Sequence, residues 1–224
     1  MDPMPAATLP RHQVRRSRKR AAYDRTLVHA ILDAGLLAHV GFSINGQPFV
    51  IPMLYARDGD ALLLHGAVAS RLMRALGNGI EACASITHLD GLVIARSQFN
   101  HSANYRSVVV FGRASAITAA AAKAAALERF VEALLPGRTT ESRPADRKEL
   151  AATSVLRLDI VDVSAKLRSG DAEDKAEDLA LPYWAGVLPL HQQAREPVAN
   201  ADLDADIAVP ASILRCSTDP RFRA

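Results

Sequence analysis

The chain has 224 residues, 49% of them apolar, 23% charged and only 5% aromatic, which suits one compact domain with tails rather than two full domains. Its formal charge of +3 is unevenly spread: seven of the 27 bases and two of the 24 acids lie in residues 1–25, leaving the rest at −2. That excludes a basic body built to bind nucleic acid. Cys83 and Cys216 make neither a disulfide framework nor a zinc motif, and no apolar run reaches the roughly 18 residues of a membrane span. No charged-then-apolar leader is visible, so a reducing, cytoplasmic setting is expected.

Residues 1–20, with Pro3, Pro5, Pro10 and a basic cluster, are expected to form a mobile arm. Asp24 is a candidate N-cap for a short helix that buries Leu27, Ile31 and Leu32 and stops at Gly35. Two strands follow, Leu36–Ile44 and Gln47–Ala56, joined by the hairpin signal Asn45-Gly46. The Asp58-Gly59 turn leads into a strand at Ala61–His65, which suggests a three-stranded meander.

A short helix follows Ser70, with Leu72, Ala75 and Leu76 at helical spacing. Ile80–Thr87 and Leu92–Ala95 read as strands about an Asp90-Gly91 turn. Tyr105–Ile117 is a long strand whose Val108–Phe111 core lacks alternation, as a strand buried on both faces would. Thr118–Leu135 is an Ala-rich helix ending at Pro136-Gly137, and Ser154–Leu167 a final strand. The body is therefore taken as residues 21–195, with 196–224 a loosely held tail. Six or seven strands joined largely by tight turns predict a mainly β (α+β) fold, an antiparallel barrel with helices packed outside, and disfavour a parallel βαβ sheet.

Three segments carry candidate chemistry. In His65–Leu72 a strand gives way to a small-residue loop and then to Ser70 and Arg71 at a helix start, where a hydroxyl, a guanidinium and free amides suit an anion. In Ser97–Ser107 a run of Ser, Gln, Asn and His side chains precedes the long strand, and its Arg106 and Ser107 could meet a polar heteroaromatic ring. Trp184, the sole tryptophan, offers a flat apolar face. For each the bland reading stands beside the functional one: a helix cap, a hydrated loop, a core anchor. The seven histidines follow no metal spacing, and no GxSxG, Walker A or GxGxxG motif occurs, which removes serine hydrolases, kinases and Rossmann enzymes.

In their order and spacing, the hairpin Phe49–Tyr55, HGAVASRL from His65, NYRSVVVFG from Asn104 and WAGVLPL from Trp184 resemble the pyridoxamine 5'-phosphate oxidase-like split-barrel flavoproteins. The resemblance is to the flavin-nucleotide-binding branch, which includes nitroimidazole-resistance proteins, and runs from about Tyr23 to Pro189. It implies an FMN-binding split β-barrel, with FAD as the alternative, held at a homodimer interface. Ser70 and Arg71 would hold the phosphate, Pro52, Met53 and Leu54 the ring edge, and Arg106 and Ser107 the polar body of the cofactor. His65 would stand beside the flavin and Trp184 at an end of the pocket.

The bases that hold the substrate phosphate in true pyridoxamine-phosphate oxidases are absent, with Pro189-Leu190 in place of the Arg-rich substrate motif, while at the cofactor-phosphate helix start Leu72 replaces the family's Lys. The implied activity is flavin-dependent oxidation or reduction of a small organic molecule, with no residue named as acid or base, no metal and no membrane or nucleic-acid partner. The rival expectations are a flavin carrier or sensor without turnover, and a split barrel that binds deazaflavin or haem, the latter through His65 or His101.

Overall fold

A computed structural model describes residues 10–222. Helix α1 (Arg25–Asp33) begins as expected, with the Asp24 carboxylate accepting from the Leu27 amide, and buries Val28, Ile31 and Leu32. It leads into the hairpin β2 (Leu37–Ile44) and β3 (Gln47–Leu54), paired from Leu37↔Leu54 to Ile44↔Gln47. The turn places Asn45 at φ 50° and Gly46 at φ 82°. Positive φ at both central positions is what the tight two-residue hairpin requires. In β2 the inward residues Ala38, Val40 and Phe42 are buried while His39 and Ser43 face out.

The expected three-stranded meander does not form. Strands β4 (Ala56–Asp58) and β5 (Ala61–Ala67) pair with each other, but β5 lies beside β8 (Thr153–Asp159) and β3 stays at an edge. The cause sits between β3 and β4. Tyr55 is buried, its hydroxyl donating to the Leu32 carbonyl of α1, so the chain is pinned there and passes to the other half of the barrel.

Helix α2 (Arg71–Gly77) buries Leu72, Met73 and Leu76 in the same interior. After it, the two short strands expected around Asp90-Gly91 are a single strand, β6 (Glu81–Ile94), with a register shift between Leu89 and Gly91. Asp90-Gly91 forms a bulge rather than a turn, with Asp90 the extra residue and Gly91 paired with Asn104. A Cβ at Gly91 would lie 3.0 Å from the Leu188 carbonyl of β10 (Gly186–Pro189), which pairs with this end of β6. Glycine permits that close approach of a second backbone.

The longest strand, β7 (Ser102–Ala116), runs beside β6 for most of its length. On its other side the expected strand at 154–167 is two: β8 pairs with Ala114–Ala116, and β9 (Asp162–Arg168) with Tyr105–Phe111. They separate at Ile160, whose amide donates to the Asp60 carbonyl. Val108 and Val110 face the interior and are fully buried while Val109 and Phe111 on the outer face are half-buried, so the strand alternates where burial on both faces was expected. The strand order β3-β2-β6-β7-β8-β5-β4, all pairs antiparallel, leaves the sheet split between β3 and β4. Helices α1 and α2 each pack one apolar face on the main core and expose the other, while α3 (Ala120–Leu134) packs Ala126 and Phe130 on Ala56, Leu63 and Val155 in a second cluster.

Both termini are held more closely than their composition suggests. Arg11 bridges Glu81 and Asp162, the Val14 amide donates to the Tyr23 hydroxyl, and β1 (Ala21–Ala22) pairs with β9, so the arm from residue 10 onward lies on the sheet. The first nine residues lie outside the described ones. At the other end Arg221 donates to the Ala133 and Leu134 carbonyls and to Asp219, which closes the C-terminal end of α3 with residues from the tail.

Candidate functional site

The residues singled out in sequence fall into two groups. The first borders the split. Pro52, Met53 and Leu54 lie on β3, whose outer edge has no strand partner, with Pro52 and Leu54 exposed and Met53 half-buried. Across the split Ser70 caps α2 with β-region backbone and makes no side-chain cap bond, so its hydroxyl is uncommitted. Arg71 is exposed and its guanidinium carbon stands 4.9 Å from the Phe49 ring centroid, which joins the start of α2 to β3. A cation over an aromatic face is held loosely enough to keep its N–H groups available.

His65, at the end of β5, faces away from the interior toward α3. Its ring meets Phe130 edge-on at 4.3 Å between centroids, and its Nδ1 is buried without a hydrogen-bond partner. Desolvation in that apolar setting holds its pKa below the ordinary value, so the imidazole is neutral and keeps a nitrogen lone pair free.

The second group is on the far side of β2 and β6 and its charges are already paired. Arg106 makes a two-pronged contact with Asp90, Nε to Oδ2 at 2.9 Å and Nη2 to Oδ1 at 2.7 Å. Hydrogen bonding to that carboxylate raises the guanidinium's pKa. Ser107 points to the opposite face of β7 and donates to the Lys166 carbonyl at 3.2 Å. Trp184 is 68% exposed and lies over Gly186, where an added Cβ would be 2.9 Å from its ring. Three strand spacings separate β3 from β7, about 14 Å, so one face of a single copy does not bring the two groups together.

Part of the polar run at 97–107 is used in hydrogen bonds within the protein. The Ala95 amide donates to His101 Nδ1 at 3.0 Å, and Asn104 accepts from Arg168 at 2.6 Å while donating to the Gly170 carbonyl at 3.1 Å. The sequence reading missed Asp90, taken for a turn residue, and Arg168, a buried guanidinium that also reaches the Asp171 carbonyl. Only the β6–β7 register, His88↔Arg106, reveals that Asp90 is the diagonal neighbour of Arg106.

Between the groups, the outward face of the sheet carries His39, Cys83, Ser85 and Val109, bordered by exposed Leu37, Val50 and Leu54. So many apolar side chains on one face form a contact surface. A separate cavity of about 490 Å³ lies between the end of α3 and the tail, lined by Asp33, Glu132, Arg215 and Arg221 among others. It includes none of the residues named from sequence. Among the described residues no cluster of metal-ligating side chains occurs and no helix is long and apolar enough to cross a membrane.

The pairing around the split and the matched segments define the class: the model of the pyridoxamine 5'-phosphate oxidase family matches residues 24–167, and the chain belongs to that family. Within it, the chain is similar to two solved structures along almost its whole length. The flavocytochrome Anf3 from Azotobacter vinelandii is 44% identical, with 92% of this chain and 95% of that chain covered and a TM-score of 0.87. An FAD and heme binding protein from Mycobacterium smegmatis is 40% identical, with 88% and 97% covered and a TM-score of 0.85. A candidate 5-nitroimidazole antibiotic resistance protein from Bacteroides thetaiotaomicron shares the fold at 17% identity, with 65% and 85% covered and a TM-score of 0.53. No curated protein matches the chain.

Proposed function

We propose that this chain is a flavocytochrome: a redox protein that binds a flavin nucleotide and haem, assembled from two copies. The observation that carries the reading is the 44% identity to the Azotobacter flavocytochrome across nearly the full length of both chains. The FAD and heme binding relative favours FAD over the FMN that the family resemblance implies. Two copies follow from the division of the site residues: Ser70, Arg71 and Pro52–Leu54 of one copy meet Arg106, Ser107 and Trp184 of the second across the apolar sheet face.

The side chains present suit both groups. Ser70 and Arg71 supply an uncommitted hydroxyl and guanidinium for phosphate charge, and the unpaired edge of β3 supplies backbone donors and acceptors for a ring. Of the two histidines considered for haem, His65 is neutral with an unpartnered Nδ1, while His101 already accepts the Ala95 amide. His65 would therefore be the residue to hold haem iron, its ring leaving the packing against Phe130 to expose the buried Nδ1. When bound, flavin supplies hydride or single-electron transfer and haem supplies one-electron exchange.

In the pair, Arg71 anchors, β3 orients and Trp184 excludes water from one end. None of these side chains needs to move a proton. The substrate exchanging electrons there would be a small organic molecule, the class the resemblance implies.

The test is the absorption spectrum of the purified protein with mass analysis of the released ligand and a haem assay. Flavin bands together with a Soret band are expected, in a particle of dimer mass by light scattering. A colourless monomer that takes up neither added FAD nor added haemin would overturn the reading.

A further inference from the structure

The arm carries a cluster of uncommitted cations. Arg15, Arg16, Arg18, Lys19 and Arg20 fall within six positions, and among the described residues none of them has a carboxylate in ion-pair contact. Arg15, Arg16, Arg18 and Lys19 are exposed. The nearby acids are engaged: Asp162 by Arg11 and His12, Glu81 by Arg11 and Arg113.

The cluster is also fixed in place. Arg11 ties it on one side, and on the other Ala21 pairs with Lys166, which pairs in turn with Ser107. The run of bases therefore ends two strand spacings, about 10 Å, from the row that carries Ser107. Lys166 adds a further cation to that row, and it too forms no ion pair among the described residues.

We infer that residues 15–20, with Lys166, form a docking surface for a small acidic one-electron carrier protein. The inference rests on the redox reading above. A redox protein needs a source or sink of electrons, and this chain has no GxGxxG fingerprint for a dinucleotide donor. A dense patch of unpaired cations beside the site suits a carrier with an acidic rim, because complementary fields raise the encounter rate and orient the two surfaces. Each encounter moves one electron between the carrier and the chain's bound cofactor, one partner being oxidised as the other is reduced. Nucleic acid is the weaker occupant. Residues 26–224 carry a net charge of −2, so the few cations of this patch are all that would meet phosphates, and such contacts fade at physiological salt.

Stopped-flow mixing of the dithionite-reduced, full-length holoprotein with ferric cytochrome b5, an acidic carrier, and with ferric cytochrome c, a basic one, tests this. The rate with cytochrome b5 should exceed that with cytochrome c at low salt and fall as salt is added. Arg15→Glu, Arg16→Glu, Arg18→Glu and Lys19→Glu together should lower it by at least about tenfold, with spectrum and melting temperature unchanged. Replacement of the same four by Gln should give an intermediate loss. A cytochrome b5 rate indifferent to both salt and substitution overturns the proposal, as does tighter binding to duplex DNA or to anionic vesicles than to cytochrome b5. If the protein carries no reducible cofactor, calorimetric titration with cytochrome b5 still reads docking, and the redox reading then fails separately.

Discussion

Arg71 and Arg106 border the same sheet, yet their surroundings are opposite. Arg71 has no carboxylate in ion-pair contact among the described residues and rests over Phe49, beside a serine hydroxyl that caps nothing. Arg106 is clamped by Asp90, and its neighbourhood is laced together by Arg168, Asn104 and the Gly170 carbonyl. The lesson is that polar residue type alone does not separate binding from scaffolding. Donors left free mark the end open to a ligand, and donors already satisfied mark the end that is held rigid.

The largest effect on this contrast should come from Arg168→Ala. The side chain is buried and makes charge-assisted bonds to Asn104 and two carbonyls, so its removal takes away both its packing and three hydrogen bonds that tie β9 to β7 and the loop after it. A loss of about 2–4 kcal/mol is expected in urea unfolding. An unchanged midpoint would mean the paired end is not a scaffold.

Arg71→Ala should behave in the opposite way. Stability of the ligand-free protein should stay within about 0.5 kcal/mol, while flavin affinity falls by about 1.5–3 kcal/mol, read by quenching of flavin fluorescence. Equal dissociation constants would erase the distinction between the two ends. Asp90→Ala should cost only about 1 kcal/mol of stability, because the Arg106 pair is partly exposed and screened.

The smallest effect is the most diagnostic. His65 has a folded-state pKa below its ordinary value through desolvation, so the unfolded chain binds the proton more readily. Its contribution is present above about pH 6.5 and is lost as pH falls through that value toward the folded one. Stability should therefore decline between about pH 7 and 5, and His65→Gln should flatten that part of the profile. The carboxylates that are held low, such as Glu149 at about 2 beside Arg143, act at more acid pH and leave this window clear.

Local signals were legible where one residue decides the structure alone. Asp24 capping α1 and the Asn45-Gly46 turn are of that kind, and both stand as expected. Signals that depend on distant partners misled. Asp90-Gly91 carries the composition of a turn, but the space it meets is set by β10, almost a hundred residues later, and the outcome is a bulge. Likewise nothing between residues 154 and 167 announces a break, because Ile160 is turned by the backbone of Asp60. The residues proposed to hold the cofactor could be named from the sequence only as types in order along the chain. That they divide into two groups was not legible, since strand order is a property of the whole sheet.

The bridge from Arg11 to Asp162 spans 151 positions of sequence. A contact of that reach contributes nothing until β9 is in place, so it is expected to form after the folding nucleus. Interactions made after the transition state leave the folding rate alone and slow unfolding instead. The arm therefore acts as a kinetic latch. Removing it should leave refolding as fast as before while shortening the lifetime of the native sheet, whose exposed β9 edge would then open first.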